Sequence, residues 1–326
     1  MLLRLASHPL CFALLLVGLV GCSKNPPVNT TMMETEFAEQ LLAPPNYLAG
    51  LVKQTPDVKF QPMAGGIRKA SSQVRLPTGE SMTVWVYQPD PLPPGKLPCV
   101  FIAPAGTMLI HGMMLSDGDV QEHLPWAKAG FAVVAYELSG HADAEKSSDD
   151  QLKLAADNFR DAKSGLLNAQ VAMAFAKEKL SFVDPDQFYT AGHSSAGTMA
   201  LYVAEMEPRV KGSIAFMPAV DVRATLGLDV MTYLQTRSIL TEAGPYVSAI
   251  SPATHIERLS RPTFIFLSAN DRSDINGPAD TFVAKLRELG KDVTVVRAPG
   301  GGHLEPMLDP GIPMAIEWLK MVTQSR

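Results

Sequence analysis

The feature that most constrains the fold is an alternation, from about residue 69 onward, between short apolar runs and longer segments of helical period. The runs have the length and composition of strands, and they lie at 81–87, 99–103, 131–136, 188–191, 213–217, 263–267 and 293–296. Between them, apolar residues such as Leu167, Val171 and Phe175 recur at helical spacing. Strands that alternate with helices form a parallel sheet through right-handed crossovers. The sequence therefore predicts one α/β domain, with helices on both faces of a mostly parallel central sheet.

The N-terminus has the features of an export signal. Arg4 precedes an apolar run at 10–21 that suits a signal peptide but is shorter than the roughly 20 residues needed to cross a bilayer. The run ends in Leu-Val-Gly-Cys at Cys22, which resembles a bacterial lipobox. The resemblance implies that Cys22 is acylated and anchors the exported protein to the cell envelope, on the periplasmic side of the outer membrane in a Gram-negative cell. An ordinary secretory peptide is the alternative.

These patterns divide the chain into three segments. Residues 1–21 are the predicted signal peptide, 22–68 the lipidated cysteine with a proline-punctuated tether and lead-in, and 69–326 the globular domain. An insertion at 221–250 either covers the site as a partial lid or adds a helical layer to the core. Cys99 opens an apolar run, so we expect a buried and inert thiol.

Charge and motifs exclude several functions. The formal net charge is −5 and no run is rich in Lys and Arg, which disfavours nucleic-acid binding. The chain has no H-E-x-x-H motif or clustered metal ligands, and no G-x-G-x-x-G follows an early strand. The sequence therefore predicts neither a metal nor a nucleotide cofactor.

A serine nucleophile is predicted where the run at 188–191 ends. From residue 192 the chain reads Gly-His-Ser-Ser-Ala-Gly, so a strand, a turn of small residues and a helix follow one another. Ser194 has glycine two residues before it and alanine two after, whereas Ser195, the alternative, has the bulky His193 two before it. We assign the nucleophile to Ser194 and a supporting role at the turn to His193. A helix start that packs closely or binds an anion is the other interpretation.

Two later loops supply an acid and a base in the chain order serine, acid, histidine that such a turn requires. Asp271 follows a buried run and is the predicted acid, with Asp274 and then Asp221 as alternatives. His303 follows the last run on a glycine-rich loop and is the predicted base. Each residue alone could be an ordinary loop residue, but their order indicates a catalytic triad.

The triad assigns a role to each side chain. His303 would take the proton of Ser194, while Asp271 would hold the imidazole in one tautomer. Backbone N–H groups must also stabilise the oxyanion. We expect one from Ser195, which follows the nucleophile, and one near Thr107, after the run at 99–103.

At these residues the chain resembles the α/β-hydrolase superfamily, most closely the prolyl oligopeptidase catalytic domain and the dienelactone hydrolase-like group. The resemblance runs from about residue 69 to 320 and is carried by 184–197, 251–254 and 286–303. It implies an α/β-hydrolase fold and a serine hydrolase without a cofactor. Ala196 departs from the usual glycine, and Ser194 stands where dienelactone enzymes have a cysteine.

Three functions are compatible with this pattern. A serine hydrolase that cleaves carboxylic esters of small or moderately apolar acyl groups through an acyl-enzyme is the leading prediction. A peptidase of the prolyl oligopeptidase type, acting on short peptides, is the nearest alternative. A non-catalytic binding lipoprotein would keep the fold without its chemistry.

Overall fold

A computed structural model describes residues 45–324, which form a single nine-stranded sheet covered by helices. The strands are β1 (Gln61–Met63), β2 (Ile67–Arg75), β3 (Ser81–Pro89), β4 (Leu97–Ile102), β5 (Ala132–Tyr136), β6 (Val183–His193), β7 (Val210–Phe216), β8 (Thr263–Ser268) and β9 (Val293–Ala298). The α-helices are α1 (Pro45–Lys53), α2 (Val120–Lys128), α3 (Asp149–Asp161), α4 (Leu166–Lys179), α5 (Ser195–Met206), α6 (Val222–Thr236), α7 (Ala243–Ala249), α8 (Ser273–Glu288) and α9 (Ile312–Gln324).

The strand order is β1-β2-β3-β5-β4-β6-β7-β8-β9. β5, β4, β6, β7, β8 and β9 are parallel, while β1, β2 and β3 extend one edge in antiparallel pairing. The predicted mostly parallel sheet is therefore confirmed. Its parallel half brings the carboxyl ends of β4, β6 and β8 to one side of the sheet, which is where functional loops of such folds lie.

The core occupies both faces of the sheet. Successive residues of β4 alternate between the faces: Cys99 and Phe101 join one buried cluster, and Val100 and Ile102 join the other. Helices α2 and α9 cover the second cluster, and α4 and α5 lie in the first. Cys99 is a free, fully buried thiol whose pKa burial raises well above its ordinary value, as expected of an inert core residue.

The N-terminal boundary of the domain lies earlier than predicted. Leu48 and Val52 of α1 are fully buried in the core, and β1 with the start of β2 pairs into the sheet. The prediction of a tether and lead-in at 22–68 is therefore wrong from residue 45 onward, because apolar residues four apart bury one face of a short helix. The predicted signal peptide, Cys22 and the first part of the tether lie outside the described residues. Between residues 45 and 324, no helix is long and apolar enough to span a bilayer.

The insertion at 221–250 forms α6 and α7. At one end of α6, the Thr225 hydroxyl donates to the carbonyl of Asp274 at 3.4 Å, in the first turn of α8. At the other end, the Tyr233 hydroxyl donates to the Asp149 carboxylate at 2.6 Å, at the start of α3. Because these contacts lie beyond β8 and β5 respectively, α6 crosses the carboxyl ends of the strands between them. A break at Gly227, with φ of 73°, divides the helix.

Candidate active site

Ser194 has the backbone conformation of a strained turn. It directly follows β6, with φ of 55° and ψ of −123°, a region that residues other than glycine rarely adopt. Two hydrogen bonds hold the turn: Ser194 N–H donates to the Phe216 carbonyl at 2.8 Å, and Thr198 N–H donates to the Ser194 carbonyl at 3.0 Å. Strain of this kind presents a serine side chain at the end of a strand, as the predicted nucleophile requires.

The small residues of the turn allow the helix to approach the strand. A β-carbon built on Gly192 would lie 2.4 Å from the carbonyl carbon of Ala196, which is far inside van der Waals contact. A side chain at residue 192 would therefore push α5 away from β6. Ala196, where the family resemblance leads one to expect glycine, is itself fully buried in the core.

The two adjacent serines have different surroundings. The Ser195 hydroxyl is buried and accepts the N–H groups of Gly106 at 3.0 Å and Thr107 at 3.2 Å. Ser194 is only half-buried. Accessibility and backbone conformation therefore both favour Ser194 over Ser195 as the residue that reacts with a substrate.

The loop after β4 supplies backbone donors beside the turn. The structure brings Thr107 and Ser195 together as expected, and it adds Gly106, which sequence reasoning missed. The Thr107 hydroxyl accepts from Leu109 N–H at 3.1 Å and donates to the His111 carbonyl. Because the hydroxyl is held within its own loop, the N–H of Thr107, rather than its side chain, points at Ser195. A glycine after a strand, here with φ of 98°, is the signal that could have identified Gly106.

His303 and Asp271 form the expected acid–base pair. The His303 Nδ1 atom lies 2.9 Å and 2.8 Å from the two carboxylate oxygens of Asp271, whose side chain has no exposed surface. A carboxylate accepts, so Nδ1 carries the proton and Nε2 keeps its lone pair for a substrate-side proton. Within the described residues, the hydrogen bonds of His303 run to Asp271 and His193, and none joins it to the Ser194 hydroxyl. Such bonds are often long without a substrate.

The alternative acids are engaged elsewhere. Asp274 forms an ion pair with Arg272, which lowers the pKa of that carboxyl. Asp221 caps α6 by accepting the Ala224 N–H at 3.0 Å. The structure therefore brings Asp271 to His303, and gives Asp274 and Asp221 local structural roles.

His193, predicted to support the nucleophile turn, contacts the loop at 299–303 that carries His303, which we call the base loop. Its Nε2–H donates to the backbone carbonyl of His303 at 2.6 Å, and the two rings lie 4.8 Å apart between centroids. Burial, followed by the nearby His303, lowers the pKa of His193 to about 4. His193 is therefore a neutral donor at ordinary pH.

An apolar cavity of about 280 Å³ lies between the loop after β4 and helix α6. Met108, which lines it, follows Thr107 in the chain, and the Thr107 hydroxyl donates to the carbonyl of another lining residue, His111. Among the described residues, Ser194, Asp271 and His303 do not line this cavity. Its lining is predominantly aliphatic and includes one carboxylate, Asp229. The lining residues are Met108, Ile110, His111, Ala144, Leu152, Asp229, Val230, Tyr233 and Leu234.

Comparison with protein families gives a match to the prolyl oligopeptidase family over residues 119–312, which is more than half of the 326-residue chain. The chain is also 24% identical over 241 residues to a thermostable monoacylglycerol lipase from Bacillus sp. (strain H-257). That alignment covers 66% of this chain and 88% of the lipase.

Solved structures with the same fold include two acetyl xylan esterases. The enzyme from Paenibacillus sp. R4 has a TM-score of 0.61 at 17% identity, covering 87% of this chain and 94% of that one. Acetyl xylan esterase 1 from Thermoanaerobacterium sp. has a TM-score of 0.58 at 16% identity, covering 89% of this chain and 93% of that one. At these identities the likeness shows the fold.

Proposed function

Since the chain belongs to the prolyl oligopeptidase family and is a serine hydrolase, we propose that it cleaves carboxylic esters through Ser194, His303 and Asp271. One observation carries the proposal: a half-buried serine on a strained turn lies beside the loop of a histidine whose Nδ1 is held by a buried aspartate from a second loop. That combination is the working geometry of nucleophilic acyl transfer.

The reaction proceeds in two halves. The Ser194 oxygen attacks the acyl carbon as its proton passes to His303 Nε2, and the carbonyl oxygen becomes an oxyanion. When the ester C–O bond breaks, Nε2 returns the proton to the departing alcohol, leaving an acyl-enzyme. Water then loses a proton to Nε2 and attacks the acyl carbon, and as the bond to the Ser194 oxygen breaks, that oxygen takes the proton back and the carboxylic acid is released. Backbone N–H groups of Gly106, Thr107 and Ser195 are the proposed donors to the oxyanion.

The cavity indicates the class of acyl group. Its aliphatic lining would bury a moderately apolar chain, and the one carboxylate on its rim, Asp229, would repel an acidic substrate. Among the described residues, no lysine or arginine lines the cavity to bind a peptide carboxylate, which favours an ester over a peptide. Because α6 forms one wall and crosses the strand ends, we propose that it serves as a partial lid.

A substitution in the cavity wall should change chain-length preference. Val230→Phe would fill the cavity, so kcat/KM for an octanoyl ester should fall by about 10- to 100-fold while that for an acetyl ester changes little. The matched control is Leu228→Phe on the same helix, where the side chain is 78% exposed. The measurement uses p-nitrophenyl acetate, butyrate and octanoate beside a peptide p-nitroanilide. Equal losses on every ester would disprove the pocket, and faster cleavage of the peptide would favour the peptidase.

We also propose that the protein is exported and anchored by a lipid on Cys22. The support is the apolar run ending in Leu-Val-Gly-Cys, and two or more acyl chains hold a protein at a bilayer stably. Intact-mass and N-terminal peptide analysis of the mature protein should give a diacylated N-terminal cysteine. An unmodified Cys22, or cleavage at another site, would contradict the anchor.

A further inference from the structure

The base loop is fixed to the sheet at three points. Asp271 accepts from the His303 ring, the buried Ser268 hydroxyl donates to the Gly301 carbonyl at 3.1 Å, and His193 donates to the carbonyl of His303 itself. The last contact is the shortest of the three, at 2.6 Å. It joins the backbone of the base directly to the residue before the nucleophile. The His193 contact therefore sets the position of the base relative to Ser194.

That contact exists in only one tautomer of His193. A carbonyl oxygen can only accept, so the bond requires the proton on Nε2 and leaves Nδ1 unprotonated. Nδ1 faces Glu122 of α2, with 3.9 Å between Nδ1 and the carboxylate Oε1. A neutral imidazole thus has a single proton and two neighbouring acceptors, the His303 carbonyl and the Glu122 carboxylate.

Glu122 lies in an unusual place for an acidic residue. Its side chain is 13% exposed and borders a small void between Trp126, Phe216 and Ile312. Burial, followed by the nearby Asp119, raises the pKa of Glu122 to about 7. Below that pH the carboxyl is neutral, so it does not compete for the ring proton. The other charged groups facing His193 are His303 and Asp271.

We propose that His193 is a positioning residue for His303 and that Glu122 determines which ring nitrogen of His193 holds the proton. With Glu122 neutral, the proton stays on Nε2 and the His303 loop is held. When Glu122 ionises, its carboxylate attracts the proton to Nδ1, and the Nε2 lone pair then faces the His303 carbonyl. Charge-assisted bonds are the stronger ones, so the loop contact weakens. The inference rests on the proposed triad.

The positioning role is tested with two variants of similar size. His193→Gln keeps an amide donor that can reach the carbonyl, whereas His193→Met removes it. The rate of Ser194 labelling by a fluorophosphonate should fall by about 100-fold in the Met variant, since misplacing a catalytic group by about 1 Å can cost that much. The Gln variant should recover most of the loss, and on an ester kcat should fall with KM nearly unchanged.

A second histidine provides the control. His255 lies between α7 and β8 and donates to the Ala249 carbonyl at 2.7 Å, a contact of the same kind. His255→Met should lower the thermal midpoint without slowing the labelling. Equal labelling rates in folded His193→Gln and His193→Met would overturn the positioning role.

The role of Glu122 is tested by pH, and this test stands even if His193→Met does not fold. Wild-type labelling should decline by about tenfold above pH 7, as Glu122 ionises and competes for the ring proton. Glu122→Gln cannot ionise and so cannot compete for the ring proton, and its labelling rate should stay level there. An unchanged decline in Glu122→Gln would refute the tautomer role. A wild-type protein that takes no label would instead refute the proposed function, and the positioning role with it.

Discussion

Ser194→Ala should lower kcat on esters by about 10⁴- to 10⁶-fold, which is the size of the loss that removal of a triad serine causes. It should also abolish labelling by a fluorophosphonate. The physical reason is that Ser194 combines access to solvent with a strained turn, while the Ser195 hydroxyl is buried and occupied by two N–H groups. Peptide mapping of the labelled protein should locate the adduct on Ser194.

Ser195→Ala is the matched control for this result. It removes an acceptor from Gly106 and Thr107 but keeps the backbone N–H of residue 195, so the protein should still be labelled and lose far less activity. Loss of label in Ser195→Ala with label retained in Ser194→Ala would reverse the assignment. A folded wild-type protein that takes no label would favour the non-catalytic binding lipoprotein.

The second large effect is expected at the acid. Asp271→Asn should lower kcat by about 10⁴-fold, because the amide presents a donor to His303 and favours the wrong tautomer. The side chain of Asp271 is fully buried against Nδ1, so no water can substitute for the carboxylate. Initial rates on one ester across pH, with KM measured separately, are the required data.

Asp274→Asn serves as the comparison, because it removes a carboxylate three residues away. Asp274 pairs with Arg272, whose side chain is 59% exposed, and exposed pairs contribute only about 0–1 kcal/mol to stability. Activity should therefore remain within a small factor of wild type. Near-normal activity in Asp271→Asn together with loss in Asp274→Asn would transfer the acid role to Asp274.

The parallel strands β4, β5, β7 and β8 could be predicted from sequence because they are buried on both faces and appear as apolar runs, whereas β9, at the edge, is apolar but only partly buried. β6 starts earlier than the predicted run, since its first half contains Asp184 and Asp186 and is only partly buried. β2 was missed because polar residues interrupt its buried positions, Ile67, Ala70 and Val74. β2 lies one strand in from the edge of the sheet and buries too few side chains to show a regular pattern.

The residues of the proposed triad could be selected from the sequence because chain order and strand ends restrict where such residues lie. The position of Glu122 could not be predicted, because an acidic residue on an amphipathic helix ordinarily faces solvent. Only tertiary packing places it beside His193. Gly106 was missed for a related reason: its N–H acts through the backbone, so its residue type carries little information about that role.

The Ser195 hydroxyl accepts hydrogen bonds from the N–H groups of Gly106 and Thr107, and this affects how those donors would bind a substrate oxygen in the ground state and in the transition state. Without substrate, these donors already have a neutral oxygen partner, so a neutral ester carbonyl gains little by displacing it. A developing oxyanion gains much more, because hydrogen bonds to a charged oxygen are about twice as strong. Displacing the hydroxyl costs the same in both states, so in the proposed reaction the charge on the oxyanion, and not the hydroxyl itself, favours the transition state over the ground state.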